Sequence, residues 1–242
     1  MIVARFHVPG AAPGARIALP EHSAHHARDV LRLRAGAQVR VFDGRGAEYE
    51  AVLEVVARQV VSGRVTGPAA PRPESPLRVT LAMSPLKGDR MELAIQKATE
   101  LGVAVIRPVV TVRTDAAARP ALEGARRDRW DKVASGAAEQ CGRATVPVVA
   151  PTATLAAFIA DPPAGARVVL LERQEGQPPL ASLPRPQAIT LLVGPAGGWE
   201  PVEIERLAGA GFVAVSLGPR ILRAETAAIA ALTAAQVLWG DL

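Results

Sequence analysis

The stretch LGPRILRAETA, residues 217–227, places Arg220, Arg223 and Glu225 directly before a long apolar segment, AAIAALTAAQVLW. It follows a strand-like run, FVAVSLG, through a Gly-Pro step. Charged side chains at the entrance of an apolar helix form either a solvated helix start or a binding site held on a rigid element. The rest of the sequence favours the binding site.

Two earlier strand-like runs end in similarly unusual sequence. VVLLE closes at residues 171–172, and TLLVGPAGG closes in a second Gly-Pro step followed by two further glycines. Ligands bind at the carboxyl ends of strands in open α/β sheets, and glycines there let the backbone approach a ligand closely. These three strand ends together predict one ligand site, whereas a single glycine loop would be explained by a tight turn.

The chain from residue 77 onward alternates apolar runs with helical segments. LRVTLAM, VAVIRPVV, RVVLLE and AITLLVG are apolar throughout. Helices are predicted from Asp89 to about Leu101, then near 120–140, 154–160 and 201–210, and at the C-terminus. Strands of this kind separated by helices indicate a mainly parallel sheet covered on both faces.

The first third of the chain has a different pattern. IVARFHV, AQVRVFDGRGAEYEAVLEVV and VVSGRVTG predict short strands with a hairpin, and PEHSAHHARDVLRL predicts one short helix beginning at Pro20 or Ser23. The proline-rich segment TGPAAPRPESP, residues 66–76, reads as a linker. We therefore predict a small β-barrel domain over residues 1–72 and an α/β domain over residues 73–242.

Positive charge is concentrated in the predicted barrel. Residues 1–72 hold ten arginines and six acidic residues, a net charge of +4, although the whole chain carries only +5. A small basic module joined to a nearly neutral body suggests a polyanionic partner.

Several classes of site are excluded by what the sequence lacks. Neither G-x-G-x-x-G nor G-x-x-x-x-G-K-[ST] occurs, and the single cysteine, Cys141, rules out an internal disulfide. All four histidines lie before residue 27, so the α/β domain has no Ser-His-Asp triad. We expect no metal and no membrane segment, and a cytoplasmic protein.

The longer motifs carry a family resemblance. GPAGGWEPVEIE followed by SLGPRILRAETA resembles the cofactor-binding region of the SPOUT class of RNA methyltransferases. KGDRMELAIQKATELGV, EQCGRATVP and HHARDVLRLRAG are similar to the ribosomal small-subunit RNA (uracil-N3) methyltransferase family within that class.

This resemblance implies a PUA-like RNA-binding barrel followed by a SPOUT domain whose sheet contains a deep trefoil knot. It further implies S-adenosyl-L-methionine as cofactor and methylation of N3 of one uridine in 16S rRNA of the small ribosomal subunit. It also implies a homodimer formed through the C-terminal domain.

Roles for individual residues follow from the same resemblance. Arg220 and Arg223 are expected to stabilise the uracil anion or hold a phosphate, and Glu225 either accepts the N3 proton or only stabilises the helix start. The expected cofactor-binding residues are Leu171, Glu172, Val193, Gly194, Pro195, Gly197, Gly198, Leu217, Gly218, Ile221, Leu222 and Thr226. The expected RNA-binding residues are Arg5, His25, His26, Arg28, Arg32, Arg34, Lys87 and Arg143.

One position departs from the family pattern. The middle of the glycine loop is usually Glu, and here it is Ala196. Two alternatives to this activity remain open, and Ala196 favours the second of them. One is a SPOUT enzyme with another RNA target, such as a ribose 2′-hydroxyl, and the other is a non-catalytic RNA-binding or assembly factor.

Overall fold

The computed structural model describes residues 3–115, 125–172 and 176–242. It divides into two compact units. The first comprises the described residues up to Glu74 together with Ser135–Val146, and the second comprises Ser75–Ala134 and Pro147–Leu242, as far as they are described. Ser135–Val146, which lies within the predicted α/β domain, thus belongs to the N-terminal unit.

The first unit is built on one five-stranded sheet. Its strands are β1 (Arg5–His7), β2 (Arg16–Ala18), β3 (Gln38–Phe42), β4 (Glu48–Val56) and β5 (Val61–Ala69). Their order is β1-β3-β4-β5-β2, with β1 and β3 parallel and the other pairs antiparallel. The β3–β4 hairpin is the predicted one, and β5 extends into the segment that the prolines marked as linker.

All five strands of this sheet contribute to one core. Buried side chains from each strand pack together, namely Phe6, Ile17, Val39, Val41, Ala51, Leu53, Val61 and Val65. The predicted helix begins after Pro20 as α1 (Glu21–His25) and continues as a π-helical turn, His26–Val30. The shared core agrees with the predicted small barrel.

The second unit contains the predicted parallel sheet. Its strands are β6 (Arg78–Met83), β7 (Val105–Val110), β8 (Val148–Val149), β9 (Ala153–Thr154), β10 (Ala166–Leu170), β11 (Ala188–Val193) and β12 (Val213–Val215). Their order is β12-β10-β11-β6-β7-β8, with β9 beside β7, and every pairing is parallel.

Helices separate these strands as the sequence indicated. They are α2 (Arg90–Glu100), α3 (Ala125–Cys141), α4 (Leu155–Ala160), α5 (Pro201–Gly209) and α6 (Ala224–Trp239). The predicted beginning of α3 near residue 120 lies outside the described residues. The trefoil knot stays a prediction from the resemblance.

Core packing explains why α6 is so apolar. One face of the helix is buried in the second unit, through Ala228, Ala231, Leu232, Ala235 and Trp239. Gln236 is also buried on this face, where its side chain donates to the Leu101 carbonyl and accepts from Ser75 Oγ. Across the described ranges, no helix is long and apolar enough to cross a membrane.

Candidate functional site

A large cavity lies in the second unit where three strands end. It has a volume of about 940 Å³ and is lined by the residues that follow β10, β11 and β12. These strands are neighbours in the order β12-β10-β11, so their carboxyl ends meet at the same edge of the sheet. The three strand exits singled out in the sequence therefore surround one space.

The loop after β11, residues 194–199, forms the glycine wall of the cavity. The Trp199 indole covers Gly194 so closely that a Cβ at that position would lie 2.5 Å from Trp199 Nε1. The same Nε1 donates to the Leu170 carbonyl at the end of β10, at 3.4 Å. The loop turns back through a hydrogen bond from Gly198 N to Pro195 O, at 2.9 Å. Trp199 thereby holds the ends of two strands together.

A second loop, residues 111–115 after β7, is tied to this wall. Arg113 Nε donates to Glu200 Oε1 at 2.8 Å, and Arg113 Nη1 donates to the Gly197 carbonyl at 3.0 Å. Glu203, only 2% exposed, accepts from Val112 N at 2.9 Å and from Glu200 N at 3.0 Å. We call Arg113, Glu200 and Glu203 the loop brace.

Glu200 and Glu203 also start helix α5. Glu200 is the N-cap residue, and the two side chains form a reciprocal capping box ahead of Pro201 at the first helical position. One pair of carboxylates therefore fixes the beginning of α5 and both loops beside the cavity.

The charged residues of the 217–227 stretch line the same cavity. Arg223 has an extended backbone and serves as N-cap of α6, which places Glu225 in the first helical turn. Glu225 is 8% exposed, and no described residue donates a hydrogen bond to it or forms an ion pair with it. Its oxygens are not among the fully buried atoms that lack a partner, and Glu225 lines the cavity. The carboxylate is therefore open to a group that enters the cavity.

Arg220 and Arg223 are exposed at the cavity, and neither forms an ion pair with an acidic side chain in the described ranges. Guanidinium groups of this kind are available to an anion or to a planar polar group.

The structure brings nearly all the predicted cofactor-binding residues to this cavity. Every one of them lines it except Thr226, which is exposed on α6. Their roles in binding the cofactor stay predictions.

The predicted RNA-binding residues have more varied surroundings. Arg5 is 14% exposed, pairs with Glu48 at 2.8 Å, and donates to three main-chain carbonyls of residues 138–143. Arg143 is 11% exposed and pairs with Glu74 at 2.6 Å. Both guanidinium groups are thus committed within the first unit.

The other members of that set lie nearer to solvent. Arg28 and His25 both contact Asp29, His26 is half-buried, and Lys87 pairs with Asp115 at 2.8 Å. Arg32 and Arg34 are exposed and form no ion pair with a described residue. They lie on the loop that follows the π-helical turn.

A buried polar cluster in the first unit surrounds His7 and Glu139. His7 Nδ1 lies 2.7 Å from Ser135 Oγ, and Glu139 Oε1 accepts from His7 N at 2.7 Å and from Ser23 Oγ at 2.9 Å. Burial lowers the pKa of His7 and raises the pKa of Glu139, because both charged forms lose hydration. The ring of His7 also stacks on Phe42.

Sequence reasoning missed several residues of the cavity. Arg90, at the first position of α2, and Arg113, after β7, both line it, as does Trp199. Arg113 follows the apolar parallel strand β7, so its place after a strand end is the signal that could have found it. Its pairing with Glu200 joins residues 87 positions apart and has no local signature.

Comparison with known proteins identifies the family. Residues 73–236 match the RNA methyltransferase domain, and residues 19–62 match the RNA methyltransferase PUA domain. The chain is 33% identical to the ribosomal RNA small subunit methyltransferase E of Bacillus subtilis, over 90% of each chain. It is 36% identical to the Mycobacterium bovis protein of the same name, over 88% of this chain and 83% of that one.

Solved structures agree over the full length. A Legionella pneumophila methyltransferase in complex with SAM superposes with a TM-score of 0.93 at 35% identity. The ribosomal RNA small subunit methyltransferase E of Neisseria gonorrhoeae bound to S-adenosyl methionine gives a TM-score of 0.89 at 36% identity. Both cover 100% of each chain. Because both family models match and the named relatives are 33–36% identical over most of the chain, the chain belongs to the ribosomal RNA small subunit methyltransferase E family.

Proposed function

We propose that this protein transfers a methyl group from S-adenosyl-L-methionine to N3 of a specific uridine in 16S rRNA of the small ribosomal subunit. The observation that carries the proposal is the strand-end cavity, which combines a glycine wall with Arg220, Arg223 and the Glu225 carboxylate, none of which forms an ion pair with a described residue. Because its substrate is ribosomal RNA, we place its action in the cytoplasm.

The cavity suits the cofactor in size and in chemistry. Its volume lies within the range of about 300–1,000 Å³ typical of small-molecule sites. Glycine backbone at residues 194, 197, 198 and 218 supplies polar main-chain groups, while Leu170, Leu171, Val193 and Leu217 supply apolar surface. At Gly218, φ is +110° and no atom lies within 4 Å of the place where a Cβ would be, so its backbone faces open space.

The glycine wall does not depend on the residue at position 196. Ala196 is exposed and lines the cavity, whereas the loop is shaped by Trp199 and by the loop brace. We therefore expect the cofactor to bind although the carboxylate usual in the family is missing.

The proposed chemistry needs positioning and charge more than a strong base. When bound, S-adenosylmethionine supplies an electrophilic methyl group on a sulfonium. Glu225 accepts the proton of uracil N3, directly or through one water, and the N3 electron pair then forms the bond to the methyl carbon while the carbon–sulfur bond breaks. Arg220 and Arg223 stabilise the negative charge that develops on the uracil ring or hold its phosphate.

The target base must leave its stack to reach such a cavity. A flipped base is read by polar groups at its edge and held by contacts around its phosphate. Among the predicted RNA contacts, Arg32 and Arg34 of the first unit remain available for phosphates, whereas Arg5 and Arg143 serve internal packing.

The second face of α6 supports the homodimer. Val237 is 61% exposed and Leu238 is 39% exposed, and Ile229, Ala230 and Ala234 on the helix are only half-buried. An apolar helix face of this kind suits a second copy of the chain, as the family resemblance implies. Sedimentation of the wild type and of a Val237→Glu variant tests this, since the charge should shift the protein toward monomer.

Methyl transfer to unmodified small ribosomal subunits tests the whole proposal. The cofactor carries labelled methyl, the RNA is digested, and its nucleosides are separated. Label in 3-methyluridine is the expected result. Label in a 2′-O-methylated nucleoside would identify the other kind of SPOUT target, and RNA binding without cofactor binding would identify an assembly factor.

A further inference from the structure

One of the arginines that line the cavity, Arg90, has no role in the reaction proposed above. Among the described residues, four arginines line the cavity, namely Arg90, Arg113, Arg220 and Arg223, against the two carboxylates of Glu172 and Glu225. Glu200 neutralises Arg113. The charges of the other described lining residues sum to +1, so this described lining is positive before any ligand enters.

The proposed cofactor does not remove this charge. S-adenosylmethionine carries a sulfonium and an ammonium against one carboxylate, so it adds a further positive charge to the cavity. An electrostatically balanced complex therefore requires an anionic group from the second substrate.

Arg90 is placed to receive such a group. It is the first residue of α2, which follows β6, whereas Arg220 and Arg223 follow β12. Strands β12 and β6 are the two ends of the row β12-β10-β11-β6. Cationic side chains therefore reach the cavity from the strands at both ends of this row.

The acidic groups near Arg90 are already engaged elsewhere. Arg129 pairs with Glu92 at 2.6 Å and lies 4.0 Å from Asp89, and Lys87 pairs with Asp115 at 2.8 Å. Within the described part of the chain, no carboxylate forms an ion pair with Arg90. Lys87, Asp89 and Glu92 thus have oppositely charged neighbours, whereas the Arg90 guanidinium is exposed at the cavity.

The backbone of Arg90 is also well fixed. The helix behind it is anchored by buried Met91, Ala94, Ile95 and Ala98, so its first turn has a defined position. Arg90 further lines a shallower depression, shared with Lys87, Gly88, Asp89 and Leu93, beside the main cavity. Arg90 therefore lies at the rim of the cavity, which an RNA strand would cross as its base entered.

We propose that Arg90 binds an RNA backbone phosphate at or next to the nucleotide whose base enters the cavity. The proposal rests on the proposed function and adds a substrate-binding residue to it. Arg90 has no part in holding the cofactor.

The test compares Arg90→Ala with Arg78→Ala. Arg78 is exposed at the first position of β6, so the control removes the same charge from the other end of the strand that leads to Arg90. Binding of small-subunit RNA is measured with S-adenosylhomocysteine present, over a series of salt concentrations. Cofactor affinity is measured separately by calorimetry without RNA.

For Arg90→Ala we expect RNA affinity to fall about tenfold and the slope of log K against log salt to decrease in magnitude by about 1, as for the loss of one phosphate contact. Arg90→Lys should retain most of the affinity, and Arg78→Ala all of it. Cofactor affinity should not change in any variant.

Unchanged RNA affinity in Arg90→Ala, or a loss of cofactor affinity instead, would overturn the proposal. Neither measurement requires turnover. A wild-type protein that binds RNA through Arg90 but forms no 3-methyluridine would contradict the proposed reaction and leave this inference standing.

Discussion

The Arg113 guanidinium joins two loops of the cavity wall, because its Nε lies 2.8 Å from Glu200 Oε1 while its Nη1 lies 3.0 Å from the Gly197 carbonyl. Gly197 also lies against the base of the Arg113 side chain, since a Cβ added to Gly197 would lie 3.3 Å from Arg113 Cβ. The ion pair itself is partly exposed, with side chains 46% and 33% accessible, so its direct contribution to stability is small. The ion pair matters because it helps to fix the position of the glycine wall.

Arg113→Ala should therefore weaken cofactor binding about tenfold, equivalent to about 1.4 kcal/mol, with little change in unfolding. Calorimetric titration with S-adenosylmethionine measures the first effect, and a thermal melt measures the second. Arg113→Lys keeps the charge but not the two-pronged donor, and it should recover only part of the affinity.

The Glu200→Gln variant completes the comparison. If Arg113 and Glu200 act through one contact, the double variant should lose less affinity than the two single losses added together. Additive losses would show that Arg113 acts independently of the brace.

Arg223→Ala should almost abolish turnover while cofactor binding persists. The guanidinium is proposed to act on charge that develops in the uracil ring, and removal of one such donor typically lowers kcat by about 10²–10³. Single-turnover methyl transfer at saturating RNA and cofactor is the measurement. Normal turnover in this variant would remove Arg223 from the mechanism.

Glu225→Gln should lower kcat by about 10²–10⁴, since the amide keeps the shape of the side chain but cannot accept the N3 proton. Glu203→Gln is a useful control because Glu203 is also buried in the same unit but serves the loop brace. It should affect cofactor affinity more than kcat. A Glu225→Gln enzyme with full kcat would assign Glu225 to the helix start alone.

The sequence was most informative where its signals are local. Parallel strands, the hairpin at Asp43–Ala47 and the glycine loop were all visible in short runs, and they were found. In contrast, the contacts that Arg5 makes with residues 138–143 depend on bringing together positions more than 130 apart. An arginine in a basic segment resembles an RNA contact until its internal partners are known.

The cavity likewise combines local and long-range features. Strand-end glycines predicted its location, because parallel strands end at one edge of a sheet. The Arg113–Glu200 pair and the position of Arg90 depend on strand order, with β6 next to β11 and β7 next to β6. Neither neighbour relationship is encoded in a local pattern.

Gly194→Ala should disrupt the cavity more than its small size suggests. The added methyl would lie 2.5 Å from Trp199 Nε1 and 2.7 Å from Trp199 Cε2, so the indole must move away from the Leu170 carbonyl. We expect a loss of cofactor affinity of at least about tenfold and a destabilisation of about 1–3 kcal/mol, as for other overpacked sites. Gly209→Ala on α5 is the matched control, because no atom lies within 4 Å of its Cβ position.

The first unit should show a pH-dependent stability that arises from His7. Burial lowers the pKa of His7 below its usual value of 6.5. Just below pH 6.5, the imidazole is therefore protonated more readily in the unfolded chain than in the folded chain. The stability that neutral His7 contributes is present above pH 6.5 and is lost as the pH falls toward its lowered pKa. Glu139 acts in the opposite direction, because burial raises its pKa and the folded chain takes up its proton at a higher pH than the unfolded chain.

Glu139→Gln separates the two effects, since its side-chain oxygen still accepts from His7 N and Ser23 Oγ. Denaturation of the N-terminal unit, followed between pH 7.5 and 5.5, should show a steeper loss of stability on acidification in Glu139→Gln than in the wild type. The added change His7→Gln should flatten that dependence. If Glu139→Gln and the double variant lose stability equally on acidification, the titrating group is not His7.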